Sequence, residues 1–404
     1  MKTCLVFFGD EILRGSIINT NASYLSKQLE MMGFSVERHL VLSDFDPSAK
    51  AILQALASEF PLIICTGGLG PTIDDKTRAL FAELLNSELY FDESIYQELS
   101  LKFGDQPYHK IQSMMPKGAT FLSNTTGTAK GLCIKLGNSL MCALPGVPHE
   151  LKTMFEHEVV KVLDQRFPNR TSLFEKHLSF FDLIEVQIDP HIQKLSKLYP
   201  KVSFGIYPSY GIVKMTFRGD NLLELDEIQK YFLSEFPSNI YAKSLDPIEK
   251  VLIQCLQNQG LKLASAESVS GGHIATRLVA IPGVSNVFLG SLVTYSNALK
   301  SGILGVLKQT LDAHGAVSEE TVLEMAKGVL SKTGADVAIA TSGIAGPEGA
   351  TATKPLGLVY IGVALKGGDA IAYKCQFHGD RDMVIEKAAT HAFGYLWQML
   401  KIQE

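Results

Sequence analysis

The sequence predicts an α/β protein of three domains, each built on its own sheet. Three observations lead there. Short apolar runs alternate with helix-period stretches from Thr3 to about Phe167 and again after Pro247, an order that gives mostly parallel sheets covered by helices on both faces. The stretch between, Ser172 to Lys243, reads instead as strand, helix, two strands paired around Pro208 and Tyr210, helix, strand, a compact α+β unit. A chain of 404 residues is also too long for one ordinary core. The expected domains are 1–170, 171–245 and 246–404.

In the first domain, Cys4 to Phe8 is apolar enough for a buried strand, and Asn21 to Met32 is an amphipathic helix closed by Gly33. Ser35 to Leu42 follows as a strand, Pro47 to Glu59 as a helix, Leu62 to Cys65 as a strand and Lys76 to Leu85 as a helix. A hairpin from Leu132 to Leu144 turns at Gly137-Asn138, and a helix from Pro148 to Phe167 ends the domain. The middle domain runs through Ser172–Phe180, Asp182–Leu198, Val202–Tyr207, Gly211–Arg218, Leu222–Phe236 and Asn239–Ala242. The last begins with a helix, Ile248 to Gln259, and an apolar run, Leu261 to Ala264. His273 to Ala280 is helical, Val287 to Thr294 a strand and Ser318 to Leu330 helical. Strands at Val337–Ala340, Gly357–Leu365 and Ala370–Phe377 then precede a long helix from Asp380 to Leu400.

Composition narrows the functions. A net charge of −5 with no basic stretch argues against a nucleic-acid binder, so small molecules are the expected partners. Cys4, Cys65, Cys133, Cys142, Cys255 and Cys375 lack paired spacing and read as reduced thiols of a cytoplasmic protein. No run of eighteen apolar residues and no cleavable leader is seen, so neither a membrane span nor export is expected. His273, His314, His378 and His391 lack ligand spacing and read as structural or solvated.

Two regions carry chemistry. In the last domain the apolar run enters a turn containing Glu267, Ser268, Ser270, Gly271 and Gly272, and a helix leaves it. Amides at such a turn suit an anion or oxyanion, and Tyr295 and Lys300 follow the next strand. A serine, a tyrosine and a lysine are therefore expected to converge. In the first domain, Gly9 to Asn21 and Thr66 to Thr77 fall at strand ends, where ligands of such sheets bind. The amides of Gly67, Gly68 and Gly70 suit phosphate. Asp74 and Asp75 either hold a divalent cation through its waters or cap the following helix.

The motifs AESVSGG (Ala266–Gly272), VTYSNALK (Val293–Lys300), GAVSE (Gly315–Glu319), SGIAGPEG (Ser342–Gly349), KPLG (Lys354–Gly357) and GDR (Gly379–Arg381) occur in the order found in the C-terminal domain of the CinA family, which this region resembles. GDEILRG with TGGLGPTIDD resembles the molybdopterin-binding fold of CinA N-terminal halves, and the middle unit is similar to their KH-like domain but lacks a G-x-x-G loop. That unit reads as a spacer or dimer-forming element. Three departures stand out. Val269-Ser270 replaces a usual Cys-Thr, HKIQS (His109–Ser113) replaces N-x-[KR]-Q-A, and NTTGTAKG (Asn124–Gly131) puts Lys130 where proline is usual. The last two loops are expected to close over the N-terminal ligand, where Lys130 adds a charge able to hold phosphate.

The resemblance implies hydrolysis of the carboxamide of nicotinamide mononucleotide to nicotinate mononucleotide and ammonia, with no metal required. Ser268 would be the nucleophile, Lys300 its base and Tyr295 the group orienting the lysine. Donors to oxyanion or phosphate would come from Gly271-Gly272 and Ser342-Gly343. Glu267 and Ser270 complete the substrate set, and Arg381 grips the phosphate. For the N-terminal half it implies hydrolysis of ADP-ribose at its pyrophosphate. Thr66, Gly67, Gly68, Gly70, Thr72 and Asn21 would contact the nucleotide, while Asp10, Glu11, Asp74 and Asp75 hold magnesium or a transition metal. A homodimer is the expected assembly. Two rival readings are a carrier of a molybdopterin-like pterin and a competence or DNA-damage accessory acting through protein contacts, both without turnover.

Overall fold

The computed structural model describes residues 1–401 and divides into two compact units, Met1–Leu173 and Phe174–Glu404. In the first, strands β1 (Lys2–Phe8), β2 (Ser35–Leu42) and β3 (Leu62–Thr66) pair in parallel. Short strands β4 (Leu89–Phe91) and β5 (Met114–Pro116) form a separate ribbon. β6 (Thr120–Leu122), β7 (Gly131–Leu136) and β8 (Ser139–Leu144) complete a six-stranded sheet of order β2-β1-β3-β8-β7-β6. β8 runs parallel to β3, and the hairpin edge is antiparallel.

Both faces of this sheet are buried, and the alternation of side chains along β1 divides the core. Cys4, Val6 and Phe8 enter one apolar cluster and Leu5 and Phe7 the other. Parallel strands need crossover connections, which the helices Thr20–Met31 and Ala49–Glu59 supply. The helix expected from Pro148 to Phe167 is one run interrupted by a π-helical segment at Phe155–Val159. The sequence reading missed the short helix Asp10–Leu13 and the helices Glu93–Phe103 and Pro107–Gln112.

The second unit holds two sheets. β9 (Phe174–Phe181), β10 (Ser203–Ser209), β11 (Ile212–Gly219) and β12 (Ile240–Ala242) form an antiparallel sheet of order β10-β11-β9-β12 under the helices Glu185–Leu198 and Leu222–Glu235. β13 (Leu263–Glu267), β14 (Phe288–Val293), β15 (Val337–Gly343), β16 (Leu358–Leu365) and β17 (Ala370–Gln376) form a five-stranded sheet of order β14-β13-β15-β16-β17. β13 is parallel to both neighbours.

The two faces of the five-stranded sheet differ in residue size. Val337 and Ile339 point into the larger cluster with the helix Arg381–Lys401, whereas Ala264, Ala266, Ala338 and Ala340 face the helix Glu319–Thr333. Small side chains let that helix come close; a Cβ at Gly362 would stand 2.7 Å from the Val322 carbonyl. Phe181, from the smaller sheet, packs into the same large cluster, its ring lying where a Cβ on Gly394 would be. The middle sheet therefore packs Phe181, Ile212 and Tyr241 into the core of the last helix and keeps a second core under its own two helices.

Candidate active site

β13 ends at Glu267, and the chain turns through Gly271 and Gly272, both at positive φ, into the helix His273–Val279. Glu267 is fully buried. Its Oε2 accepts from Ser270 Oγ at 2.8 Å, the Gly272 amide at 2.9 Å and the Ile274 amide at 3.1 Å. Oε1 accepts from the Ala275 amide at 3.0 Å and Ser291 Oγ at 2.8 Å. A carboxylate taken out of water is tolerated only with such a set of donors, so this charge is part of the protein and occupies the helix N-terminus.

Three expectations are corrected by that arrangement. Glu267 and Ser270 do not face substrate: the first caps the turn, and the second bonds Glu267 and lies 2.7 Å from Thr341 Oγ1. The Gly272 amide is taken by Glu267, and the Gly271 amide donates to the Ser268 carbonyl at 3.2 Å. Neither is free for an oxyanion. Among the described residues, the amides of this turn that find no partner are those of Val269 and Ser270, which flank the Ser268 hydroxyl on its C-terminal side.

The expected convergence of Ser268 and Lys300 is present. Ser296 caps the helix Asn297–Leu304, its side chain accepting from the Leu299 amide, and Lys300 follows one turn later. The lysine side chain turns inward and is 1% exposed. Its Nζ lies 2.9 Å from Ser268 Oγ and donates to the carbonyls of Thr294 at 2.9 Å and Tyr295 at 3.1 Å. Burial lowers its pKa to about 8, because desolvation disfavours the charged form. Tyr295 orients the lysine through its backbone; its side chain is 63% exposed, and the expected role for the phenol is withdrawn.

The remaining residues of this set are structural or peripheral. Ser342 Oγ donates to the Ala316 carbonyl at 2.7 Å. Gly343 ends β15 where a Cβ would stand 2.7 Å from Val359, so it permits strand packing. Arg381 begins the last helix, exposed, and donates to the Gly346 carbonyl at 2.7 Å. That bond ties it to the loop after β15 and leaves its other donors open.

In the first unit a cavity of about 530 Å³ lies beyond the carboxyl ends of β1 and β3, lined by Glu11, Asn21, Thr66, Gly67, Gly68, Gly70, Asp74, Asp75, Gln112 and Glu150 among others. Gly67 is required there, since its φ is +97° and a Cβ would stand 2.4 Å from the Phe8 carbonyl. The loop is held by its own helix. Thr77 Oγ1 donates to the Gly67 carbonyl at 2.7 Å, and buried Arg78 bonds the carbonyls of Leu69 and Gly70.

Asp75 accepts from the amides of Gly70 and Thr72, each at 2.8 Å, and from the Thr72 hydroxyl. It ties the loop to itself and does not cap the following helix, whose N-terminus has no side-chain cap, and the Gly70 amide and Thr72 hydroxyl are taken by it. The amides of Gly68 and Leu69 find no partner among the described residues. Asp10 lies outside the cavity lining and takes the Arg14 guanidinium. The acidic residue the sequence reading missed is Asp44, just past β2, whose Oδ2 accepts from the Asp10 amide at 3.1 Å. Burial pushes its carboxyl above the ordinary range, helped by the charges of Glu11, Asp10 and Asp74. A strand-end position was the signal available for it.

Lys130 is also reassigned. Its buried Nζ contacts both oxygens of Glu98, at 2.6 and 2.7 Å, so it faces a helix and not the cavity. Gln112 and Thr128, from the two altered loops, do line the cavity, whereas His109 is wholly buried. A second hollow of about 250 Å³ shares Phe8, Asp44, Gly68 and Asp74 with the first and adds Lys50 and Lys76. Among the described residues no three His, Cys, Asp or Glu side chains are placed to hold an ion alone. Glu11, Asp10 and Asp74 are close enough to Asp44 to act on its charge, but they do not form such a set with it.

The chain is 36% identical over 410 residues, 99% of each chain, to a "Putative competence-damage inducible protein" of Caldanaerobacter subterraneus subsp. tengcongensis. It belongs to the CinA family. A "CinA-like protein" of Kosmotoga olearia is likewise 36% identical over 415 residues, 99% of each chain. The model of the CinA C-terminal domain matches residues 245–400, and that of a probable molybdopterin binding domain residues 4–165. A crystal structure of a CinA superfamily protein from Klebsiella pneumoniae, 35% identical, covers 38% of this chain and 96% of its own, with a TM-score of 0.37. The CinA resemblance extends over 99% of the chain, and both candidate loops lie inside matched regions. Among the described residues, no helix is long and apolar enough to cross a membrane, and no disulfide joins the cysteines.

The geometry makes Glu267 a positioning residue of this CinA-family site. Glu267→Gln turns one acceptor oxygen into a donor facing amides and hydroxyls, which should lower stability by about 2 kcal/mol and reduce turnover with little change in KM. Urea unfolding and steady-state kinetics check this; wild-type stability in the variant would show that the five contacts do not hold the turn.

Proposed function

We propose that the C-terminal domain deamidates nicotinamide mononucleotide to nicotinate mononucleotide and ammonia through Ser268 and Lys300. The observation that carries this reading is the buried Lys300 Nζ, held by two backbone carbonyls 2.9 Å from Ser268 Oγ. With two of its directions taken by carbonyls, the neutral amine has its lone pair left for the serine proton. Ser268 Oγ then attacks the carboxamide carbon, and Lys300 carries the proton. The amides of Val269 and Ser270 are the donors available to the tetrahedral oxyanion. Collapse breaks the C–N bond as Lys300 returns the proton to the departing ammonia. Water, deprotonated by Lys300, hydrolyses the resulting serine ester to the carboxylate. The open donors of Arg381 are suited to the substrate phosphate.

The lysine must be neutral to act, and its neutral fraction grows as pH rises through about 8. Activity should therefore climb nearly tenfold per pH unit below that value and level off above it. The same lowered pKa means the unfolded chain binds the proton more tightly, so this group adds stability as pH rises from about 8 to 10.5. Ser268→Ala and Lys300→Arg should each reduce ammonia release by about a thousandfold or more, and the pair together little further, since the two act as a unit. Full activity in Ser268→Ala, or a flat pH profile between 6 and 9, would contradict the assignment.

For the first domain we propose hydrolysis of ADP-ribose at its pyrophosphate. Support comes from the cavity's position beyond the strand ends, the two unpartnered amides at Gly68 and Leu69, and carboxylates beside Lys50 and Lys76. A divalent cation brought in with the ligand's phosphates would be held chiefly by their oxygens, with Asp44 and Asp74 beside it, and would offset phosphate charge. Turnover should stop on chelation, return with added magnesium or manganese, and fall at least tenfold in Asp44→Asn. Metal-independent hydrolysis would contradict this.

A further inference from the structure

Thirty residues separate Arg277 from Lys308, and Lys300 is the one charged residue among them. Its side chain is buried, so the stretch presents no charge to water. It contains β14, an edge strand of the five-stranded sheet, and the helix Asn297–Leu304. Leu289, Val293, Tyr295, Leu299, Ile303 and Leu307 are all exposed along it. Edge strands and surface helices ordinarily carry charges that keep them solvated and apart from other chains. Each of the other described helices of eight residues or more has at least one exposed charged residue; Asn297–Leu304 has none.

That helix is apolar on both sides. Leu304 joins Val322 and Met325 in the core on its inner side, where Lys300 is also buried. The opposite side carries two exposed rows, Leu299 with Ile303 and Ala298 with Gly302, each pair one turn apart. They make a ridge beside a groove, since a Cβ placed on Gly302 would meet nothing within 4 Å. A ridge and a groove side by side are complementary to their own two-fold image, the ridge of each copy entering the groove of the other. A two-fold contact also sets residues near its axis against their own counterparts, where any charge would repel itself; this face has none. A membrane surface would call for lysine or arginine beside the apolar side chains. Thirty residues is also the size of one side of a standard interface, about 20–30 residues.

We propose that the outer face of the helix Asn297–Leu304, flanked by Tyr295 and Leu307, is the docking surface for a second copy of this chain. The contact lies in the last domain and not in the middle unit that the sequence suggests as dimer-forming. Lys300 projects from the opposite side of the helix, so a partner seated on the outer face does not displace the lysine from Ser268. The inference does not depend on the reaction assigned to that pair.

Sedimentation equilibrium of the full chain, from about 1 to 100 µM, should show a monomer–dimer equilibrium with a dissociation constant in or below that range. Ile303→Glu sets a carboxylate on the ridge of each copy, and Gly302→Leu fills the groove. Each should weaken the dimer by at least about thirtyfold, the loss expected when a central contact is removed. Gly302→Leu keeps the test sound if the charged variant folds poorly: the site has room for a side chain, and leucine favours a helix more than glycine does. Its melting temperature, taken on dilute samples where wild type is also monomeric, should be at or above wild type. A wild-type chain that stays monomeric at 100 µM overturns the inference and leaves the face to a different protein or a lipid surface. A dimer whose dissociation constant is unchanged in Gly302→Leu, or in a folded Ile303→Glu, overturns it as well and puts the contact between copies elsewhere on the chain.

Discussion

A lysine ammonium excluded from water is the constraint around which the C-terminal domain is arranged. Lys300 is 1% exposed, and among the described residues no carboxylate is paired with it; its hydrogen-bond contacts there are one hydroxyl and two backbone carbonyls. Burying a charge without a counter-charge is costly, and the group responds by releasing its proton more readily. The result is an amine with a lowered pKa held 2.9 Å from a serine hydroxyl. Everything that fixes the contact follows from the sheet. β13 delivers Ser268, the end of β14 delivers the two carbonyls, and the cap at Ser296 sets the turn from which Lys300 projects.

The two loops treat their amides alike. In each a strand ends in a glycine-containing turn, and in each a carboxylate of the protein claims part of the turn's donors: Glu267 in one, Asp75 in the other. A turn held this way is rigid before any ligand arrives, which suits a site that stabilises charge without reorganising. It also means that a glycine-rich turn offers fewer amides than its sequence suggests. Among the described residues, two remain without partners at each site, at Val269 and Ser270 and at Gly68 and Leu69.

Much of this was legible in the sequence because periodicity reports burial. The strand expected at Ser35–Leu42 and the helix expected at Ile248–Gln259 have the observed bounds, since each is an uninterrupted pattern ended by a turn residue. The pairing of Ser268 with Lys300 was readable from a motif order and from strand ends. What was not readable is direction. Nothing in the spacing says that Glu267 points back into its own turn, that Tyr295 contributes a carbonyl and not a phenol, or that Lys130 faces Glu98. Those depend on packing between segments far apart in the chain. Asp44 was missed for the same reason, since its importance comes from Asp10, Glu11 and Asp74 standing near it.

Burial of the Lys300 amine lowers its pKa to about 8, within reach of neutral pH. Carbon-detected NMR of the chain labelled at lysine Cε, with the Lys300 signal assigned by its absence from Lys300→Arg, measures this without reference to any substrate. The expected result is that the Lys300 signal titrates at about pH 8. A Lys300 signal that stays charged up to pH 10 would contradict it, because a permanently protonated lysine cannot take the serine proton.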